Sequence, residues 1–198
     1  MNTIPRSEHP KPQFQRDSWM NLNGLWAFEI DNGRSGKARG LHQADAQLSD
    51  TILVPFCPQS ELSGVNHKDF LDGVWYRRTV DLTKEQLSGR VVLHFGAVDY
   101  HCEAFVNGVG VGTHTGGYVS FCFDVTEAVH EGENVITVYA EDDERDPLIP
   151  RGKQSELFYS HGCDYTRTTG IWQTVWMEFL PETHIEKIKI FPNVETGS

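Results

Sequence analysis

The sequence consists of short apolar segments that turn-forming residues separate from one another. In the first segment Trp26, Phe28 and Ile30 alternate with small or polar residues, which is the period of a half-buried β-strand. Asn107-Gly108 lies between two later segments and is a strong signal for a two-residue hairpin. The pattern predicts further strands at residues 51–55, 74–82, 90–98, 102–113, 118–126, 134–141 and 171–180.

Helical signals are limited to two single turns. Thr83 and Gln86 form a capping box, and a second turn begins at Thr126 and ends by Gly132. Many short strands without a long helix predict an all-β fold, an antiparallel jelly-roll β-sandwich. The 198 residues suffice for this one domain but not for a (β/α)8 barrel, which takes about 250 residues.

Prolines and glycines divide the chain further. Three prolines within residues 1–18 predict an extended N-terminal arm laid over the surface. Residues 19–181 form the predicted sandwich, in which the three glycines of 32–41 predict a mobile loop. Pro181 interrupts the pattern, so residues 182–198 are predicted to be a linker whose strand, 184–191, begins a further domain.

Charge and cysteine content exclude several classes of protein. With 17 Lys+Arg against 28 Asp+Glu, the net charge of −11 argues against nucleic-acid binding, which needs a basic face. No apolar run approaches the ~20 residues of a membrane span, and no secretory signal is visible, so we expect a cytoplasmic protein without a membrane partner.

The spacing of the four cysteines argues against a zinc ribbon or a thioredoxin-like motif, because no two of them form a C-x-x-C pair. We predict that all four are buried free thiols, and the alternative is one buried disulfide. The four residues are Cys57, Cys102, Cys122 and Cys163.

No complete catalytic apparatus is visible in the sequence. The motifs G-x-S-x-G, H-E-x-x-H and G-x-x-x-x-G-K-[ST] are all absent. The densest carboxylate cluster, residues 141–146, follows a strand and precedes Pro147, so it is predicted to be a solvated acidic edge.

The segment 152–170 is the best functional candidate on composition. A loop of this length in a compact domain is usually functional or disordered, and its aromatic residues argue against disorder. A purely structural loop stays the alternative. The candidate functional residues of this segment are His161, Cys163, Asp164, Tyr165 and Arg167.

A series of blocks has a recognisable order along residues 14–180. The first, Trp19 to Trp26, reads W-x-x-L-N-G-x-W. The others are Val54-Pro55, Trp75–Arg78, Phe95–Tyr100, Val106–Tyr118, Phe123–Thr126, Glu133-Asn134 and Thr169–Trp176. Together they resemble the N-terminal domain of glycoside hydrolase family 2, and the resemblance implies a galactose-binding-domain-like jelly roll.

The resemblance also implies a function. Members of this family are exo-acting β-galactosidases, β-glucuronidases and β-mannosidases, in which a jelly roll precedes an immunoglobulin-like domain and a (β/α)8 barrel. The barrel carries both catalytic glutamates, so this chain is expected to be the non-catalytic sugar-binding-like domain of a retaining enzyme. Its expected partners are a terminal β-glycoside and the immunoglobulin-like and barrel domains of the same polypeptide; self-association is left open.

In this family a loop of the jelly roll reaches the substrate pocket. In the β-galactosidases of the family an aspartate six residues before the Gly-Ile pair lies there beside a bound sodium ion, and the matching residue here is Asp164. The resemblance therefore implies sugar or cation binding at Asp164, with sodium or another cation and no required cofactor. His161, Cys163, Tyr165 and Arg167 are expected to shape the same subsite, and Glu61 in the loop 56–64 is a second candidate. The alternatives are a self-sufficient carbohydrate-binding module or lectin, and a structural docking domain.

Overall fold

The computed structural model describes residues 4–197 and confirms the all-β fold. Among these residues, helix is limited to three single 3₁₀ turns, Pro12–Phe14, Glu61–Ser63 and Thr126–Ala128, and no helix is long and apolar enough to cross a membrane. The strands in chain order are β1 (Trp19–Asn21), β2 (Gly24–Ile30), β3 (Asp50–Val54), β4 (Gly73–Leu82), β5 (Arg90–Phe95), β6 (Val98–Asp99), β7 (His101–Val106), β8 (Val109–Thr115), β9 (Phe121–Asp124), β10 (Gly132–Glu141), β11 (Gly170–Ile171) and β12 (Val175–Leu180).

These strands form antiparallel sheets that stack as a sandwich. The larger sheet has the order β3-β2-β4-β10-β7-β8, and the second has the order β1-β12-β5-β9. β6 and β11 pair as a short third sheet, which joins Asp99 to Gly170 at one end of the sandwich. This end carries the long connection between β10 and β11.

One apolar core lies between the two large sheets. Trp26 and Phe28 of β2 enter it from the six-stranded sheet, and Leu93 and Phe95 of β5 enter it from the four-stranded sheet. The alternation predicted for β2 is confirmed, because Trp26 and Phe28 are buried while the residues between and after them are only half-buried. Truncating one such aromatic side chain typically costs about 3–5 kcal/mol, so this core holds the domain together.

The hairpin predicted at Asn107-Gly108 is confirmed between β7 and β8. Asn107 has φ 52° and Gly108 has φ 81°, as the two central residues of a type I′ turn require. The Asn107 side chain also donates hydrogen bonds to the Ala128 carbonyl and to Oδ1 of Asn134, both at 2.8 Å. The turn is thereby fixed to the start of β10.

Two predicted strands are each divided. The strand predicted at 90–98 stops at Phe95, and the one predicted at 171–180 is broken before β12. The two breaks lie opposite each other, because the backbone N–H of Gly96 donates to the Thr174 carbonyl at 2.8 Å. The two neighbouring strands are therefore interrupted at positions that face each other. The alternation of residues along a single strand does not reveal such a break.

Residues 4–18 and 182–197 lie outside the two large sheets, and residues 1–3 of the predicted N-terminal arm lie outside the described residues. Residues 4–18 contain no strand, and His9 is buried with its ring 4.6 Å from that of Trp19, edge to face. The strand predicted at 184–191 is not formed: residues 182–197 contain no strand and are mostly exposed. A strand needs a partner for its backbone hydrogen bonds, and residues 4–197 provide none there. The further domain stays a prediction.

The prediction of four buried thiols is wrong for two of them. All four cysteines are free; Cys102 is buried and Cys57 is half-buried, but Cys122 and Cys163 are exposed. Cys122 lies on the edge strand β9, where Phe121 and Phe123 take the inward positions. Cys163 lies in a tight turn between His161 and Asp164.

The loop predicted to be mobile is instead anchored on the outer face of the six-stranded sheet. Leu41 packs there with Trp75 and Tyr139, whose rings stack at 4.6 Å. Asp31 fixes the start of the loop, because its carboxylate accepts hydrogen bonds from the Trp75 indole and from the Gly36 backbone. Residues 31–48, named the 31–48 loop, are therefore part of a second small core.

Candidate functional site

The connection between β10 and β11, residues 142–169, is named the 142–169 loop. It contains no strand, only isolated bridges between Gln154 and Tyr165 and between His161 and Asp164. These bridges fold the loop back on itself, since the Ser155 N–H donates to the Tyr165 carbonyl at 2.8 Å. All the site residues predicted in 152–170 belong to this one folded unit.

Arg167 organises the loop from inside. Its side chain is fully buried, with Nε 3.4 Å from Oε2 of Glu144 and the guanidinium 4.3 Å from the Phe70 ring centroid. The guanidinium also donates hydrogen bonds to four backbone carbonyls, those of Ser155, Leu157, Phe158 and Lys68. In the structure Arg167 holds the loop together from inside, because its guanidinium donates to these carbonyls; that it shapes a sugar subsite stays a prediction.

The loop is also tied to the segment that carries Glu61. Gln59 donates to Thr169 Oγ1 at 2.9 Å, and that hydroxyl donates to Oε1 of Glu144 at 3.0 Å. Glu61 itself begins the neighbouring 3₁₀ turn and is exposed, with its carboxylate 3.8 Å from Lys68 Nζ. Among residues 4–197, Glu61 makes no hydrogen bond or ion pair with the other predicted site residues.

Two carboxylates of the loop itself and one carboxylate of β6 are buried. Asp99, Asp142 and Glu144 are 2%, 4% and 3% exposed. Burial raises the pKa of Asp142 to about 8, and the negative charges of Asp99 and Glu144 add to the shift. Burial also raises the pKa of Asp99 to about 6, against the hydrogen bond that Gln154 Nε2 donates to it at 2.7 Å. The acidic cluster of 141–146 is therefore not the solvated edge that the sequence predicts, because alternate side chains turn inward.

His161 and Asp164 close a tight turn at the outer end of the loop. Each backbone N–H donates to the other residue's carbonyl, at 3.1 and 2.8 Å. Cys163 is exposed, and its thiol lies 3.9 Å from Oδ1 of Asp164. The structure thus brings His161, Cys163 and Asp164 together, and it places Tyr165, also exposed, directly after them.

Glu156 completes this cluster, although the sequence did not single it out. Its Oε1 lies 3.8 Å from Nε2 of His161, while its Oε2 lies 3.0 Å from the Arg151 guanidinium. Glu156, His161 and Asp164 each offer one ligand atom, and the three atoms lie within 4.8 Å of one another. Seven residues lie between Glu156 and Asp164 in an irregular loop, so no helical or strand periodicity could have indicated their proximity.

Large apolar side chains are exposed around this cluster. Phe158, Tyr159 and Tyr165 are each at least 60% exposed, and the loop also exposes Leu148. Tyr118 from outside the loop joins them, because its hydroxyl donates to the Arg151 carbonyl at 2.9 Å. Exposed aromatic rings beside polar groups are typical of surfaces that contact a sugar ring or another domain.

Fold and loop together define a class: an antiparallel jelly-roll β-sandwich with an elaborated polar and aromatic loop at one end. The sequence profile of the family described as "Glycosyl hydrolases family 2, sugar binding domain" matches residues 19–181. The chain belongs to this family, which confirms the resemblance drawn from its sequence blocks.

Individual relatives are considerably longer than this chain. A protein from Formosa agariphila named putative beta-glucuronidase is 30% identical over 93% of this chain and 21% of its own length. The beta-galactosidase of Thermoanaerobacter pseudethanolicus is 34% identical over 58% of this chain and 14% of its own length. Among solved structures, the beta-glucuronidase of an uncultured Clostridium species is 25% identical, with a TM-score of 0.67 over 85% of this chain and 30% of its own. The chain thus spans less than a third of these relatives.

Proposed function

We propose that this chain is the sugar-binding domain of a longer β-glycosidase of the β-glucuronidase type, and that its 142–169 loop forms one wall of the pocket for the terminal sugar. The family match over residues 19–181, in a chain that spans about a fifth of its relative from Formosa agariphila, carries the proposal. In this reading the catalytic carboxylates belong to the remainder of that protein.

The loop supports this assignment through its construction. Arg167 fixes its backbone from inside, so His161, Asp164 and Tyr165 are presented on a rigid support. A wall of this kind orients the substrate without taking part in bond cleavage, and orientation alone contributes strongly to rate. Asp164 is the proposed positioning residue, and its carboxylate accepts hydrogen bonds from sugar hydroxyls.

The test is an Asp164→Ala substitution in the full-length enzyme, assayed with aryl β-glucuronide and β-galactoside substrates. We expect kcat/KM to fall about 100-fold on the preferred substrate, as for a displaced positioning group. Asp81→Ala, an exposed aspartate on β4, is the matched control and should leave kcat/KM unchanged. An Asp164→Ala enzyme with the kcat/KM of the unsubstituted enzyme contradicts the proposal.

The lectin alternative makes a different prediction for the 198-residue chain by itself. Tryptophan fluorescence titrated with glucuronate, galactose, glucose, mannose and arabinose should show no saturable binding tighter than about 1 mM, roughly −4 kcal/mol. A tighter saturable response identifies a complete sugar site within this chain and favours the lectin. Cytoplasmic location and self-association stay predictions, the latter tested by sedimentation of the full-length protein.

The sodium ion or other cation implied for Asp164 stays a prediction. Alkali and alkaline-earth cations take oxygen ligands, which Asp164 and Glu156 offer, whereas His161 beside them offers a nitrogen. No step of the proposed function depends on sodium.

A further inference from the structure

The turn at the outer end of the 142–169 loop gathers two carboxylates and one imidazole. Nε2 of His161 faces Oε1 of Glu156 at 3.8 Å, and an oxygen of Asp164 completes a set within 4.8 Å. Three ligands about 2.1 Å from one ion in tetrahedral arrangement stand roughly 3.4 Å apart. Small side-chain rotations therefore suffice to bring the three atoms to bonding distance.

The hydrogen bonds of Ser155 determine which nitrogen of His161 carries the proton. Ser155 Oγ donates its own hydrogen to the Tyr159 carbonyl at 2.8 Å and accepts from the Leu157 N–H at 3.1 Å. Its remaining lone pair faces Nδ1 of His161 at 3.2 Å, so Nδ1 must be the donor. The neutral ring then keeps its lone pair on Nε2, the atom that faces Glu156.

This arrangement has the form of a supported metal ligand. A ligating histidine typically donates its second ring N–H to a nearby acceptor, which fixes the ring and its tautomer. Here Ser155 is that acceptor, and it is fully buried.

The two carboxylate oxygens of Glu156 have different neighbours. Its Oε2 pairs with Arg151 at 3.0 Å, which leaves Oε1 directed toward His161.

We propose that Glu156, His161 and Asp164 bind one divalent transition-metal ion, of which Zn²⁺ and Co²⁺ are representative. The imidazole favours such an ion over sodium, magnesium or calcium, and the partial exposure of all three side chains leaves coordination positions open to solvent. The site is contained within this chain and does not rest on the proposed glycosidase function.

Calorimetric titration of the 198-residue chain with Zn²⁺ tests the proposal, with Co²⁺ absorption spectra as a second readout. We expect one ion per chain, visible d–d bands from Co²⁺, and no displacement by excess Na⁺, Mg²⁺ or Ca²⁺. His161→Asn retains a polar group toward Ser155 but removes Nε2, so it should weaken binding at least 10-fold, and Glu156→Gln should do the same. Circular dichroism in chelator verifies that both variants are folded.

The matched control is the exposed pair His130 and Glu131, which lies before β10. His130→Asn and Glu131→Gln should leave the Zn²⁺ affinity unchanged, which separates this site from incidental binding to surface histidines. The proposal fails if Zn²⁺ does not bind with one-to-one stoichiometry, if His161→Asn binds as tightly as the unsubstituted chain, or if Na⁺ or Ca²⁺ displaces the ion. Since the titration uses no substrate, its failure leaves the glycosidase proposal unaffected.

Discussion

The first residue of the 31–48 loop, Asp31, and the first residue of the 142–169 loop, Asp142, are both aspartates that are 4% exposed. Asp31 accepts four hydrogen bonds, two from Ser35 and one each from Gly36 and Trp75. Oδ2 of Asp142 accepts none and is surrounded by other acids. Of these two equally buried carboxylates, that of Asp31 has hydrogen-bond donors on both oxygens, whereas that of Asp142 has an oxygen without any donor.

The pKa shifts of the two aspartates follow from this difference. Burial disfavours the charge of Asp31, but the hydrogen bonds from Trp75, Gly36 and Ser35 outweigh it and hold its pKa below the usual value. For Asp142 nothing offsets burial, so its pKa rises to about 8. The 31–48 loop is consequently a satisfied structural element, whereas the 142–169 loop retains the uncompensated groups and exposed rings typical of functional regions.

The largest effect is expected from Arg167→Met, which removes the cation on which the 142–169 loop depends. The substitution removes the ion-pair partner of Glu144 and the donor to four backbone carbonyls, and breaking a buried pair typically costs about 3–5 kcal/mol. Hydrogen exchange should show that the loss is concentrated in residues 142–169 while β4 and β10 stay protected. Arg90→Met, which removes an exposed pair with Asp124, should change nothing measurable; equal exchange throughout the domain would mean that the loop is not a separate unit.

Asp31→Asn should cost about 3 kcal/mol. In either orientation the amide NH₂ faces two of the donors from Ser35, Gly36 and Trp75, and each buried donor left unpaired costs about 1–3 kcal/mol. Urea unfolding at pH 7 measures the difference. Asp142→Asn is the comparison and should be neutral or stabilising, since its carboxylate lacks such donors; a loss equal to that of Asp31→Asn would remove the contrast between the two loops.

The pH dependence of stability should reveal Asp142. Its pKa is about 3.9 in the unfolded chain and about 8 in the folded one, so between these values the folded state holds the extra proton. Stability therefore falls as pH rises through this range, by up to about 1.4 kcal/mol per pH unit for one group. Asp99 and Glu144 act with the same sign. Asp142→Asn should reduce the slope measured by urea unfolding from pH 5 to pH 8, and an unchanged slope would show that Asp142 does not titrate in this range.

The smallest effect is expected at the exposed rings. Tyr159→Ser and Tyr165→Ser should leave thermal stability unchanged, because each ring is 64% exposed. Tyr139→Ser on the outer face of the six-stranded sheet should lower it clearly, because that ring is buried against Trp75. Differential scanning calorimetry compares the three, and a large loss at Tyr165 would indicate that the surface of the 142–169 loop is structural after all.

Much of the fold is predictable from local patterns. The alternation in β2 and the Asn107-Gly108 turn depend on neighbouring residues, and both are confirmed. The strand breaks near Gly96 and the missing strand at 184–191 depend on which strands lie alongside, so alternation could not predict them. Cys122 was misassigned for a related reason, since an edge strand leaves one face exposed.

For the candidate site, the sequence by itself determined that a polar and aromatic segment at 152–170 would carry His161, Cys163, Asp164 and Tyr165, and its motif blocks determined the family. Only the tertiary structure decided that Arg167 points inward, that Glu156 joins His161 and Asp164, and that the loop's own acids at 142 and 144 are buried. The physical reason is that composition and local periodicity follow from neighbours along the chain. Burial, proton affinity and ligand geometry follow instead from contacts between residues that the fold brings together, such as Glu144 with Arg167 and Thr169.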